Sequence, residues 1–116
     1  MHEIGLMGDI LNLIKDDLKT KNIKKVTEIE LIVGDLSNAL PDALIMALDI
    51  YKTQNIEFID SETKLIIINE KAKAICTLCN LEYEPDQLLA ICPNCHFPSG
   101  KIIEGETFIV NSYNGI

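Results

Sequence analysis

The sequence predicts an α+β fold with a small three-stranded sheet, two helices and an inserted cysteine-rich module. Two segments place apolar residues at helical spacing, and the segments around them have the composition of β-strands. All four cysteines and three of the four prolines fall within residues 76–98. A segment of that composition cannot bury much surface by itself, so we expect it to form a module apart from the main core.

The first element is predicted to be an amphipathic helix over about residues 3–19. Its apolar residues recur at steps of three and four, which places them on one face of a helix. They are Ile4, Met7, Leu11, Ile14 and Leu18. Gly5 and Gly8 are each unfavourable in a helix by about 1 kcal/mol relative to Ala, so we expect weak first turns.

A half-buried strand and a second helix are predicted to follow. Residues 24–33 alternate between apolar and polar side chains, and residues 34–38 have the composition of a turn. Pro41 suits the first position of a helix that runs to about Lys52. The buried face of this helix is predicted to carry Leu44, Ile45, Leu48 and Tyr51.

Two more strands are predicted, one on each side of the cysteine segment. Residues 63–69 are apolar on both faces, which is typical of a central strand. Residues 106–110 are predicted to form the final strand. We therefore assign residues 1–72 and 101–116 to an α/β domain and residues 73–100 to the inserted module.

Composition and net charge disfavour several classes of partner. The chain has 116 residues, a net charge of -8, ten Lys and no Arg. An acidic surface repels phosphate backbones, so we expect no nucleic-acid partner. No apolar run approaches the roughly 20 residues of a membrane helix, and no secretory signal precedes the first element, so we expect no membrane partner and a cytoplasmic protein.

The cysteines form two pairs, Cys76-Thr77-Leu78-Cys79 and Cys92-Pro93-Asn94-Cys95, separated by twelve residues. Disulfides are rare in a reducing cytoplasm. Two facing turns with two thiolates each make a tetrahedral sulfur site, which suits a closed structural Zn²⁺ site. The pattern therefore predicts a zinc-ribbon-like module, although the separation is shorter than the fifteen to twenty residues usual for zinc.

Other interpretations of the cysteines stay open. Four sulfurs also suit iron in a rubredoxin-like site, whereas a redox Cys-x-x-Cys usually stands alone at the start of a helix. Turns of this kind often need a residue at positive φ, and Asn80 and His96 follow the two pairs. Asn and His are enriched at positive φ, so His96 has a purely structural explanation.

The N-terminus carries an unusual set of nitrogen atoms. A histidine at position 2 is most often an unordered terminal residue. The amine of Met1, the amide nitrogen of His2 and its imidazole can nevertheless chelate one metal, with the Glu3 carboxylate beside them. Planar nitrogen donors select Ni(II) or Cu(II) over zinc, so this terminus is a candidate second metal site.

The chain resembles the HypA/HybF family in its initial Met1-His2-Glu3, its Gly34-Asp35-Leu36-Ser37 turn, Pro41 and its two cysteine pairs, in that order. The resemblance covers nearly the whole chain. It implies a nickel metallochaperone for [NiFe] hydrogenase, and in some organisms urease, with a nickel-binding α/β domain and a zinc-binding domain.

The resemblance also implies site residues and partners. The family's site for transient Ni(II) corresponds to Met1, His2 and Glu3, and its site for structural Zn(II) corresponds to the four cysteines. The implied partners are the GTPase HypB and the hydrogenase large subunit, and the sequence leaves a homodimer open. Leu40 stands where some relatives bring an Asp near nickel, Asp42 is close by, and His96 is the one candidate for a nickel-binding histidine in the zinc domain.

The sequence favours metal delivery as the function. The alternative is a zinc-ribbon protein-binding module without nickel delivery. An enzyme is disfavoured, because a four-sulfur zinc has no open position for water and the chain suggests no nucleophile–base pair.

Overall fold

The computed structural model describes residues 2–86 and 89–116. In these ranges there are two helices and two three-stranded sheets, which confirms the predicted α+β class. The helices are α1 (His2–Leu18) and α2 (Pro41–Lys52). The strands are β1 (Val26–Gly34), β2 (Lys64–Glu70), β3 (Lys73–Cys76), β4 (Glu82–Tyr83), β5 (Gly100–Glu104) and β6 (Phe108–Gly115).

The chain divides into two compact units. The first comprises Met1–Leu31, Ala39–Ile68 and Ile109–Ile116, and the second comprises Ile32–Asn38 and Asn69–Phe108. The module predicted over residues 73–100 lies inside the second unit. The domain boundaries assigned from the sequence stay a prediction.

The two helices of the first unit pack against each other. Both lie where the sequence predicted them, and Pro41 occupies the start of α2. The prediction for Ile45 was wrong, because this side chain is 43% exposed while Leu44 and Leu48 are buried. Ile45 is offset by about 100° from Leu44 around the helix, so it lies beside the buried stripe rather than on it.

The first sheet has the order β2-β1-β6, so the prediction that residues 63–69 form a central strand was wrong. The central strand is β1, whose Ile29 and Leu31 are fully buried. On the edge strand β2, Ile66 and Ile68 are 38% and 41% exposed. An uninterrupted apolar run therefore marks a strand here without marking its place in the sheet.

The last strand, β6, extends to Gly115, five residues beyond the prediction. Its polar side chains meet acceptors on β1: the Asn111 amide donates to Glu30 at 2.6 Å and the Asn114 amide donates to Glu28 at 3.4 Å. These cross-strand hydrogen bonds support the part of β6 beyond residue 110, which its own composition does not predict.

The second unit contains the sheet β4-β3-β5, in which both pairings are antiparallel. Cys76 at the end of β3 is paired with Gly100 at the start of β5. Among the residues described between 69 and 108, the buried hydrophobic side chains are small. They are Ala72, Ala74, Cys76, Ala90 and Cys92.

One carboxylate fixes the segment where the chain returns from this sheet. Glu70 accepts hydrogen bonds from the Gly105 amide at 2.6 Å, from the Thr107 amide at 3.3 Å and from the Thr107 hydroxyl at 2.9 Å. The pKa of Glu70 is lowered, chiefly by the Gly105 amide. Asp35 adds a hydrogen bond from the Ala72 amide at 3.0 Å. The outgoing and returning segments are therefore joined by side chains as well as by strand pairing.

Neither helix combines the length and the apolar composition needed to cross a bilayer among the residues that the structure describes.

The two glycines of α1 have different surroundings, which yields a prediction. A Cβ on Gly5 would meet nothing within 4 Å, whereas one on Gly8 would lie 2.6 Å from the Tyr51 hydroxyl oxygen. That hydroxyl donates to the Ile4 carbonyl oxygen at 3.0 Å. We expect Gly5→Ala to raise the free energy of unfolding by about 0.5–1 kcal/mol, as for an exposed helix position, and Gly8→Ala to give no such gain.

Urea unfolding of the metal-loaded protein, followed by circular dichroism, measures both changes. In a Tyr51→Phe background the hydroxyl is absent, so Gly8→Ala should recover part of the gain. Equal stabilisation by the two alanines in the natural background would show that Tyr51 does not restrict this position.

Candidate metal centre

The four predicted cysteines lie together in the second unit. The Sγ atoms of Cys76, Cys79, Cys92 and Cys95 are all within 4.8 Å of one another. Cys76 and Cys92 are fully buried, whereas Cys79 and Cys95 are more exposed. Two turns of the chain, residues 76–81 and 92–97, therefore meet through their sulfur atoms.

The first cysteine turn, residues 76–81, directs backbone amides at a sulfur. Cys76 Sγ accepts hydrogen bonds from the Leu78 amide at 3.3 Å and from the Cys79 amide at 3.4 Å. The Cys76 carbonyl accepts from the Asn80 amide at 3.0 Å, and the Cys76 amide donates to the Leu81 carbonyl at 2.9 Å. The turn presents partial positive charge to the position where a thiolate would lie.

The second cysteine turn, residues 92–97, repeats this pattern. The Cys95 amide lies 3.4 Å from Cys92 Sγ, the His96 amide donates to the Cys92 carbonyl at 2.8 Å, and the Cys92 amide donates to the Phe97 carbonyl at 2.9 Å. Asn80 and His96 have φ values of 63° and 62°, which confirms the predicted positive φ after each pair. The exposed His96 thus has a structural role in this turn.

The pKa values of the cysteine thiols are shifted in different directions within the cluster. A hydrogen bond with Ser99 lowers the pKa of Cys76 to about 6, and the Leu81 amide lowers the pKa of Cys79. The pKa of Cys95 is raised to about 12 by its hydrogen bond with Cys79, by burial and by the neighbouring thiolates. Four thiolates at this spacing repel one another, and a divalent cation among them removes that repulsion.

The sulfur positions fit a tetrahedral ion. Cys76 Sγ lies 3.8 Å from Cys95 Sγ, and Cys79 Sγ lies 3.8 Å from Cys92 Sγ. Zinc–sulfur bonds of about 2.3 Å in a tetrahedron place the sulfurs about 3.8 Å apart. The donor set and its spacing therefore fit zinc, held by four protein ligands with no position left for water.

The predicted nickel residues lie at the start of α1, except Met1, which is outside the described residues. The His2 side chain is 59% exposed, and its Nδ1 lies 3.7 Å from Glu3 Oε2. Glu3 is buried, and the same Oε2 accepts a hydrogen bond from the Leu40 amide at 3.1 Å. This amide is the main cause of a lowered Glu3 pKa.

The sequence did not reveal two contacts of these sites. The Leu40 amide contacts Glu3 at the start of α2, while the Leu40 side chain is 63% exposed and Asp42 lies exposed in the first turn of that helix. Ser99 lies 3.1 Å from Cys76 Sγ through its hydroxyl. Cys76 is paired with Gly100, so knowledge of this strand register would have predicted that Ser99 lies beside Cys76.

Known proteins resemble this chain over its whole length. Residues 1–115 match the protein family described as "Hydrogenase/urease nickel incorporation, metallochaperone, hypA". The Hydrogenase maturation factor HypA of Moorella thermoacetica is 31% identical over 115 residues, which are 99% of each chain. The protein of the same name from Aquifex aeolicus is 32% identical over 112 residues, 97% of this chain and 95% of its own.

A solved structure shows the same fold. The solution structure of the Ni metallochaperone HypA from Helicobacter pylori superposes with a TM-score of 0.63 and 18% identity. The match covers 98% of this chain and 97% of that one.

The small core of the second unit predicts that this unit depends on its metal. We expect Cys92→Ala to abolish zinc binding and to expose the amides of residues 76–98 to exchange, because a metal site supplies folding free energy directly. The first unit should keep its protection, since Leu11, Ile29 and Leu48 are buried within it. Hydrogen exchange with mass spectrometry measures both regions in one sample.

A Thr77→Val variant, altered in the first cysteine turn but with all four sulfurs intact, is the control and should retain zinc. Loss of protection across the whole chain in Cys92→Ala would contradict the independence of the first unit.

Proposed function

The chain belongs to the HypA family of hydrogenase and urease nickel-incorporation metallochaperones, and we propose that it binds Ni(II) at its N-terminus for delivery to [NiFe] hydrogenase. Membership of this family places the chain among metallochaperones rather than enzymes. The observation that carries the N-terminal site is the exposed His2 imidazole on the first residue of α1.

The start of a helix leaves the required nitrogen atoms available. The first amides of a helix have no carbonyl partner within it, and His2 is the first residue of α1. Its amide nitrogen therefore binds a metal without breaking a helical hydrogen bond. The Met1 amine, the His2 amide and the His2 imidazole then form adjoining chelate rings, and planar nitrogen donors favour Ni(II) over zinc.

Glu3 supports this site from the protein side. Its Oε2 lies between the Leu40 amide, at 3.1 Å, and His2 Nδ1, at 3.7 Å. The carboxylate thus ties the first turn of α1 to the start of α2 and places negative charge beside the imidazole. We assign Glu3 to the nickel site with a weaker contribution than His2, because its carboxylate is already engaged.

Zinc is assigned to Cys76, Cys79, Cys92 and Cys95 as a structural ion. The sulfur spacing of 3.8 Å across two pairs and the amides directed at Cys76 and Cys92 support this assignment. We assign residues 73–100 to the zinc-binding domain, and residues 1–72 and 101–116 to the nickel-binding domain. Soft sulfur and planar nitrogen donors then keep the two metals at separate sites.

The partners follow from the family and the charge. We propose the GTPase HypB and the hydrogenase large subunit as protein partners, in the cytoplasm, with no nucleic-acid and no membrane partner. The net charge of -8 supports the absence of a nucleic-acid partner. Binding experiments decide whether the chain forms a homodimer and whether urease is also a client.

One observation favours the alternative of a zinc-ribbon protein-binding module. Leu78, Leu81 and Phe97 on the two cysteine turns are 65%, 40% and 60% exposed. Exposed apolar side chains on a rigid turn suit contact with another protein. Nickel binding distinguishes the two functions, because the alternative requires none.

The nickel site is tested by titrating untagged, zinc-loaded protein with Ni(II) in a calorimeter. We expect one nickel per chain, lost in His2→Ala because the imidazole is removed, with zinc content and fold unchanged. His96→Asn removes the other histidine of the chain and keeps a residue suited to positive φ, so it is the matched control and should keep its nickel. Glu3→Gln should weaken binding less than His2→Ala.

The amine is tested separately by acetylating Met1, which changes little besides the amine. We expect acetylation to abolish the planar nickel spectrum. Nickel bound as tightly by acetylated protein, or by His2→Ala, would refute the N-terminal site. No nickel binding by the natural chain would leave the zinc-ribbon module as the function.

A further inference from the structure

Ser99 is held beside the first cysteine turn by its own backbone. Its carbonyl accepts hydrogen bonds from the Thr77 amide at 2.8 Å and from the Thr77 hydroxyl at 2.9 Å. The residue directly precedes β5, whose first residue, Gly100, is paired with Cys76. The side chain is half-buried, and the two hydrogen bonds from Thr77 hold the backbone next to the start of β5.

The Ser99 hydroxyl contacts both cysteine turns. Its Oγ lies 3.1 Å from Cys76 Sγ in the first turn and 3.3 Å from the Phe97 carbonyl oxygen in the second. The Phe97 carbonyl also accepts from the Cys92 amide at 2.9 Å. If the hydroxyl turns from Phe97 to Cys76, the carbonyl therefore keeps a partner.

The sulfurs of the two buried cysteines, Cys76 and Cys92, differ in their hydrogen-bond partners. Cys76 Sγ has the Leu78 and Cys79 amides within 3.4 Å and the Ser99 hydroxyl at 3.1 Å. Cys92 Sγ, at the corresponding position of the second turn, has the Cys95 amide at 3.4 Å. Of the extra partners of Cys76, the Ser99 hydroxyl is the one that belongs to a side chain, so it can be removed without altering the backbone.

We propose that Ser99 is a positioning residue of the zinc site, which stabilises the metal-bound form of Cys76. This inference rests on the proposed zinc site. A metal-bound cysteine sulfur carries no proton and only accepts hydrogen bonds, so the hydroxyl donates to it. A hydrogen bond to a charged acceptor is stronger than one to a neutral carbonyl, and the contact therefore favours the metal-bound state.

The test compares Ser99→Ala with Ser99→Thr, which keeps a hydroxyl. Zinc affinity is measured by competition with a chromophoric chelator, and cobalt-substituted protein reports the thiolate-to-metal absorption band. Loss of an outer hydrogen bond to a ligand typically weakens metal binding 10–100-fold. We expect a loss of about that size and a shifted cobalt band for Ser99→Ala, with both restored towards natural values in Ser99→Thr.

Thr77→Val is the matched control, because it removes the hydroxyl that contacts the Ser99 carbonyl and leaves the contact with Cys76 in place. It should change zinc affinity much less than Ser99→Ala. In zinc-loaded Ser99→Ala, N-ethylmaleimide should modify Cys76 several-fold faster than in the natural protein, as measured by peptide mass spectrometry.

The outcomes separate this inference from the proposed zinc site. Absence of zinc binding by the natural chain would refute the site itself. Zinc bound equally tightly by the natural chain and Ser99→Ala would overturn the role of Ser99 and leave the site intact. Equal weakening in Ser99→Ala, Ser99→Thr and Thr77→Val would reduce Ser99 to a packing residue and also overturn the inference.

Discussion

The second unit depends on bringing four cysteine sulfurs into one small volume. Sulfurs within 4.8 Å of one another repel as thiolates. The pKa of Cys95 is raised chiefly by its hydrogen bond with Cys79 and by burial, and the neighbouring thiolates add to this. The surrounding backbone positions these sulfurs. Strand β3 ends at Cys76, and positive φ at Asn80 and His96 closes the two cysteine turns. Among the described residues from 69 to 108, the buried side chains are alanines, cysteines and Pro85, so burial alone contributes little stability there.

We assign the four sulfurs to a structural ion, which leaves the cargo to other donor atoms. A closed four-sulfur site retains its ion, whereas delivery needs an exposed site with exchangeable ligands. The start of α1 offers the exposed His2 and the first amides of a helix, which have no carbonyl partner within it. The Glu3 carboxylate, held by the Leu40 amide, gives this otherwise open site a fixed neighbour. We thus assign retention of zinc to sulfur atoms and release of nickel to the nitrogen atoms of the N-terminus.

Local patterns predicted the parts of the fold that local chemistry determines. The spacing of apolar residues located α1, Pro41 located the start of α2, and the cysteine spacing located both turns. The order of the strands was not predicted, because the apolar composition of β2 is the same for a central or an edge strand. Contacts between distant segments, such as Ser99 with Cys76 and Glu3 with Leu40, depend on tertiary pairing and leave no signal in sequence spacing.

We propose that one chain holds two metals on two kinds of donor atom. X-ray absorption at the zinc and nickel edges of the same metal-loaded, untagged protein tests this proposal. We expect zinc surrounded by about four sulfurs and nickel surrounded by nitrogen and oxygen with no sulfur. Sulfur in the nickel shell, or nitrogen and oxygen in place of sulfur around zinc, would contradict it.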